Sequence, residues 1–400
     1  LPEEPDAPSP AEFLPSVRVG WGISLDDTLA RFVDLVSEET PVDPRLRREA
    51  LLVVQGVPAT DPEGRARKLY RAVLDRVQDG QEKDGRRAWL GKSGSRQSAF
   101  QYMVRALGLK LDVVLAKNRL AIPPVGKMSE IENYSSMLLR LDMGAKGNRY
   151  LTVSDKFAPF GYVPAEVRGQ DAVVLIDGAP RITVPADGTQ DGVVFEGRAD
   201  LHDDGGASVE LVQRFNGKLG IRMRNVFDKV QDSQLYAFVE SRLLTATFPG
   251  ARVREVKIEN KTDLDQPLIL RIKAEVPQLG KAQGDKIAVR PPASMHIAQL
   301  ASMAERQTPL LLGAASHVEV RFDIVAPASW HMPASLPTGE ARDGDRVVKV
   351  ADAVRGHEVH FDRIIDLPAG RVQPGKEYAV FLKFTEEADA LLERDVLLGK

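Results

Sequence analysis

The chain has 400 residues, 43% of them hydrophobic and 28% charged, which is the balance of a folded globular protein and more than one core usually organises. Its 54 Lys and Arg nearly cancel 57 Asp and Glu, leaving no basic surplus to neutralise a phosphate backbone, so nucleic acid is excluded as the main partner. Cysteine is absent, which removes disulfides, thiolate metal sites and cysteine nucleophiles, and no apolar run approaches the roughly 18 residues of a membrane span.

The opening stretch places Pro2, Pro5, Pro8 and Pro10 among acidic and small residues and reads as an extended linker over residues 1–14. The chain starts at Leu1, which suggests a processed product or a piece of a longer protein. Helical signals follow. Ser24 and Asp27 form an N-cap pattern before Leu25, Leu29, Phe32, Val33 and Val36, which repeat on one helix face. A shorter helix is expected from Arg45 to Val54. Asp61-Pro62 starts another, with Ala66, Leu69, Tyr70, Val73, Leu74 and Val77 as its apolar stripe. Ser95 to Leu107 reads as a helix closed by Gly108.

Strand patterns come next, at Leu111–Ala116, Met137–Leu141 and Tyr150–Val153. Further on, Leu268, Leu270, Ile272, Ala274 and Val276 alternate with polar neighbours, as do Val318, Val320, Phe322 and Ile324. Tyr378, Val380, Leu382 and Phe384 give the same alternation and predict a late strand. Ser233 to Thr247 predicts a helix stopped by Phe248-Pro249-Gly250. Helices first and antiparallel strands later give an α+β class.

Few residue groups carry chemistry. Gly91-Lys92-Ser93 has the ending of a phosphate loop, but five residues separate Gly85 from Gly91 where the motif has four, and the segment before it is polar; it reads as a turn leading a helix. No histidine precedes His202. His357 and His360 are three apart in a strand-like stretch and point to opposite faces, so they do not share a metal. Asp203-Asp204-Gly205-Gly206 and Asp263-Leu264-Asp265 lack the full ligand spacing of a calcium loop and read as hairpin turns. Glu386, Glu387 and Asp389 read as a solvated helix start. Trp21, Trp89 and Trp330 are too few for an aromatic platform; Trp89 either lines a groove or packs in the core. No metal site and no cofactor is expected.

One ordered set of motifs resembles a known family. Gly91-Lys92-Ser93, Arg105-Ala106-Leu107-Gly108-Leu109 and Val113-Val114-Leu115 are similar to the core of bacterial transglutaminase-like proteins. So are Glu132-Asn133-Tyr134, Met137-Leu138-Leu139-Arg140, Tyr150-Leu151 and Ala158-Pro159-Phe160-Gly161-Tyr162-Val163-Pro164 with Arg168-Gly169. Phe248-Pro249-Gly250, Arg306 with Pro309-Leu310, Pro327 with Trp330, and Pro374 with Tyr378 resemble the β-rich tail of the large envelope proteins that carry this core.

The resemblance implies a papain-like domain over residues 15–170, then β-rich sandwich-type regions over 171–310 and 311–400 with inserted helices. The family's chemistry needs a Cys thiolate, a His and an Asp. By motif position the Cys falls at Ser93, or at Ser95 if the alignment slips by two, the His at Ser136 and the Asp at Thr152, with Asp155 close by. A hydroxyl without a base is a poor nucleophile, so a degenerate, non-catalytic core is expected. The residual cleft makes Trp89, Ser95 and Asp155 candidate binding residues for a peptide or protein partner. A cell-envelope or periplasmic setting follows from the family alone. The alternative is a Ser-dependent hydrolase or acyltransferase using Ser93 or Ser95, with Lys92 or Arg96 as helper.

Overall fold

A computed structural model describes residues 4–12, 24–37, 41–121, 131–153, 155–188, 190–292 and 295–399. Trp21 and the expected domain start at Pro15 lie outside them. The chain divides into two compact units, Leu14–Thr189 and a second made of Leu1–Phe13 with Gln190–Lys400.

The N-terminal unit begins with five helices: α1 (Leu25–Ser37), α2 (Pro44–Val53), α3 (Pro62–Arg76), α4 (Gly85–Gly91) and α5 (Arg96–Ala106). Their starts follow from local chemistry. Ser24 and Asp27 satisfy one another's backbone N–H groups ahead of α1, and Asp43 and Asp61 cap α2 and α3, each with Pro at the first helical position. Asp84 caps α4, a helix the sequence reading missed because its leading Gly85-Arg86-Arg87 is polar. Gly108 accepts a left-handed φ of 71° after α5, a conformation that favours glycine.

Five strands follow: β1 (Leu111–Ala116), β2 (Ser136–Asp142), β3 (Asn148–Leu151), β4 (Asp171–Val174) and β5 (Arg181–Thr183), in the order β3-β2-β1-β4-β5. All four pairings are antiparallel. One sheet face carries Val114, Ala116, Leu138 and Val174 onto Val163, Val167 and Val184. The other carries Val113, Leu115 and Leu139 toward α5. Tyr70 of α3 is fully buried; its hydroxyl donates to Ala158 O at 2.8 Å and its ring meets Phe100 and Phe160 edge-on. The expected boundary at residue 170 falls inside this unit, because β4 pairs with β1 and β5 with β4.

The second unit contains β6 (Gly192–Leu201), β7 (Ala207–Asn216), α6 (Gly217–Lys229), α7 (Leu235–Phe238), β8 (Arg252–Glu259), β9 (Leu268–Val276), β10 (Gly280–Gln283) and β11 (Lys286–Val289). It continues with β12 (Leu310–Leu312), β13 (Ser316–Val325), β14 (Thr338–Asp343), β15 (Arg346–Ala351), β16 (Ala353–Arg355), β17 (Glu358–Leu367), β18 (Gly370–Val372), α8 (Lys376–Leu392) and β19 (Val396–Gly399). Nine of these strands form one sheet, β14-β15-β17-β13-β6-β7-β9-β8 with β16 on β17. Its inner face, including Phe195, Leu211, Leu270, Phe322 and Phe361, packs on α6, α8, the turn after α7 and the small sheet β10-β11-β19. The division expected at residue 310 does not exist: β13 pairs in parallel with β6 along its length, so residues on both sides of 310 share one sheet and one core.

Three further expectations change. The strand drawn through Tyr378, Val380, Leu382 and Phe384 is α8, which buries Tyr378, Phe381, Phe384, Thr385, Ala388 and Leu392 at helical spacing. Val380 points outward at 47% exposure, so the period-2 run was coincidental. Glu386, Glu387 and Asp389 lie in the C-terminal half of that helix instead of at its start. The expected helix over 233–247 is a short α7 continued by a wider turn at Val239–Leu244. Residues 4–12 of the expected linker are docked on the second unit: Glu4 is buried against Arg306 and Thr308, and Glu12 pairs with Arg371 at 2.7 Å.

Candidate binding groove

The N-terminal unit carries a groove of about 560 Å³ between α1, α5 and the sheet, within the range of small-ligand and peptide sites. Helical spacing puts Gln97, Gln101 and Arg105 on one stripe of α5 and Ser98 with Tyr102 beside it, all facing the groove. α1 contributes Phe32 and Leu35, β1 contributes Val113 and Leu115, and Met137 enters from β2. Phe32, Leu35 and Met137 are 36%, 63% and 48% exposed, large apolar groups left open to solvent at one place.

Two aromatic hydroxyls brace the walls. The Tyr102 hydroxyl accepts from Asp43 N at 2.8 Å and donates to Pro41 O, tying α5 to the start of α2. The Tyr134 hydroxyl accepts from Arg181 Nη1 at 3.0 Å, and the Lys117 ammonium sits 5.2 Å over its ring. Among the described residues, the charged ones lining the groove are Lys83 and Arg105. Among the described residues neither has a hydrogen-bonding or ion-pair partner for its side chain. The groove therefore joins an apolar floor to two uncompensated positive charges.

The positions expected to carry a triad do not meet there. Ser93 is exposed in the turn between α4 and α5, where a backbone bridge to Gln78 holds it. Its neighbour Lys92 adopts a left-handed φ of 56°, which forms the corner. Ser95 is the N-cap of α5; its hydroxyl accepts from the Ser98 N–H at 3.1 Å and from the Ser98 hydroxyl at 3.0 Å. Among the described residues no imidazole or ammonium donates to or accepts from either serine oxygen, and all six histidines belong to the other unit.

Ser136 lies opposite Ala116, with Leu138 opposite Val114 two residues on; this is the sheet face turned away from α5. The residues that reach the groove are Ser135 and Met137. Adjacent residues of a strand face opposite sides of its sheet, so the expected position Ser136 and its groove-lining neighbours are on different faces. Thr152 is buried one residue past β3, its N–H donating to Tyr162 O and its carbonyl accepting from the Tyr70 hydroxyl. Asp155 is exposed in the following turn, where its carbonyl accepts from Ala158 N.

Trp89 does not line this groove. Its indole N–H donates to Glu49 Oε2 at 2.8 Å, and the Arg76 guanidinium stacks 4.5 Å over the ring. With Leu52, Val53 and Ala72 it borders a separate hollow of about 370 Å³. Of the expected binding residues, Ser95 alone touches the groove, through Ser98. The residues missed were Arg105, Gln101 and Met137. The signal for Gln101 and Arg105 was present as a polar stripe at four-residue spacing on a helix whose other faces are apolar, whereas Met137, on β2, gave no such signal.

No family model matches the chain, and no curated protein does. Among solved structures, it is similar to one from Parabacteroides distasonis that is provisionally described as a protease, at 12% identity and a TM-score of 0.54. The match covers 94% of this chain and 59% of the other, so the chain spans little more than half that protein's length. At this identity the likeness concerns the fold alone.

Proposed function

We propose that the chain is a non-catalytic binding module whose N-terminal unit receives an extended, acidic peptide segment in the α1–α5 groove. The observation that carries this reading is the lining: an apolar floor at Phe32, Leu35, Val113, Leu115 and Met137 with Lys83 and Arg105 beside it, and, among the described residues, no partner for either cation and no carboxylate in the lining. A peptide with alternating apolar and acidic side chains satisfies both parts of such a surface. Glutamines 97 and 101 offer amide groups to its backbone. The degenerate transglutaminase-like core and the cell-envelope setting belong to the same reading and rest on the motif resemblance.

Absence of catalysis is supported by the serines. Ser95 spends its hydroxyl on the helix cap, and among the described residues no side-chain base hydrogen-bonds to Ser93. A Ser-dependent hydrolase or acyltransferase is the second reading, favoured by the exposure of Ser93 and by the description of the similar structure.

Fluorescence anisotropy of the full chain with a labelled Leu-Glu hexapeptide and its Leu-Lys counterpart tests the proposal, with mass spectrometry of the peptide afterwards. Saturable binding of the acidic peptide, recovered intact, is expected. Equal binding of both peptides, or cleavage that Ser93→Ala or Ser95→Ala abolishes, overturns it.

A further inference from the structure

We infer that His296, Asp389 and Glu393 form a binding site for one divalent transition-metal ion, Zn²⁺ foremost, in the second unit. One donor atom from each residue lies within 4.8 Å of the other two. The three come together through two separate pieces of chain. Asp389 lies in the last turn of α8 and Glu393 follows one turn later, so i,i+4 spacing stacks their carboxylates on one side of the helix. His296 is the residue that leads into the short turn Ile297–Ala301.

The pieces are locked in register by Asp389. Its two carboxylate oxygens accept from Ile297 N at 2.6 Å and Ala298 N at 3.1 Å, which fixes the carboxylate and holds His296 next to it. This is how metal sites hold a carboxylate ligand: backbone donors orient it and leave further lone pairs for the ion. His296 Nδ1 and Glu393 Oε1 already touch, so two of the three donors meet at one point. An ion bound tetrahedrally at about 2.0–2.2 Å holds its donors roughly 3.3–3.6 Å apart, so closing the site requires shifts of about an ångström in side chains that are partly exposed.

The donor set decides the ion. One imidazole nitrogen with two carboxylates suits Zn²⁺ and its transition-metal neighbours, whereas Mg²⁺ and Ca²⁺ prefer oxygen alone. Two carboxylates and a neutral imidazole carry two negative charges, which a divalent ion cancels. Three protein ligands leave a fourth position for water. Bound there, the ion clasps the segment after β11 to the end of α8. The expectation of no metal site arose because the sequence separates His296 from its partners, while Asp389 was grouped with Glu386 and Glu387 as a solvated helix start and Glu393 was not singled out.

Isothermal titration of the metal-free full chain with zinc chloride at neutral pH tests the site, with cobalt absorption as a second readout. One equivalent is expected to bind, with His296→Ala and Glu393→Gln each weakening it at least tenfold and His360→Ala leaving it unchanged. Both informative substitutions are at exposed side chains and keep the Asp389 cap, so circular dichroism should be that of the native chain. Failure to saturate near one equivalent, unaltered affinity in both variants, or loss of binding in His360→Ala overturns the inference.

Discussion

Ser136 and Met137 are adjacent on β2 yet serve opposite faces of its sheet: Ser136 pairs with Ala116 on the side away from α5, and Met137 pairs with Leu115 inside the groove. The chain lacks cysteine, so a single introduced thiol reports its own surroundings. Met137→Cys should react readily with a maleimide and be protected by a bound acidic peptide. Ser136→Cys should react more slowly and gain no protection. Protection of both, or of Ser136→Cys alone, would place the groove on the wrong side of the sheet.

Arg363 occupies an inward position of β17, among Phe361 and Ile365, and is neutralised by Asp352; both side chains are 2% exposed. The guanidinium also donates to Leu392 O at 2.8 Å, which ties the end of α8 to the sheet. Asp352→Ala leaves a buried charge without its partner and should cost about 3–5 kcal/mol in urea unfolding. Replacing both, as Asp352→Leu with Arg363→Met, should recover part of that loss. An Asp352→Ala cost under about 1 kcal/mol would mean that water reaches the pair.

Glu4 supplies a pH-dependent contact between residues 4–12 and the second unit. Burial pushes its carboxyl up, but hydrogen bonds from the Thr308 hydroxyl and from the N–H groups of Gln307 and Thr308, together with the Arg306 guanidinium, outweigh burial and hold it below its ordinary value. A depressed folded-state value means the carboxylate stabilises the fold fully above the unfolded-chain value of about 4.3, and that this stability disappears as pH falls through the lower folded value. The stability difference between the native chain and Glu4→Gln should therefore be constant from pH 7 to about pH 5 and shrink below it. A difference that grows on acidification would contradict this assignment.

Much of the first unit was legible in residue patterns. Asp-Pro at the starts of α2 and α3, the stripe from Ala66 to Val73, and Gly108 after α5 are local signals, and local hydrogen bonds realise them. α8 was misread because Tyr378, Val380, Leu382 and Phe384 satisfy a period of two, while the buried set also needs Phe381, Ala388 and Leu392. The site was less legible. Facing along β2 changes with a one-residue shift, and residue patterns alone do not say which face of that strand meets α1 and α5. The single sheet spanning residue 310 was invisible because the parallel pairing of β13 with β6 joins segments more than a hundred residues apart.

The central claim is that Arg105 and Lys83 draw an acidic peptide into the groove. Charge reversal at Arg105, which has no partner among the described residues and lies on the solvent side of α5, should leave the melting temperature nearly unchanged. The decisive measurement is the affinity of Arg105→Glu for the labelled Leu-Glu hexapeptide relative to the native chain. A weakening of roughly fivefold or more, deepened by Lys83→Glu and diminished by added salt, is the result this account predicts. An unchanged affinity in the double charge-reversal variant would contradict it.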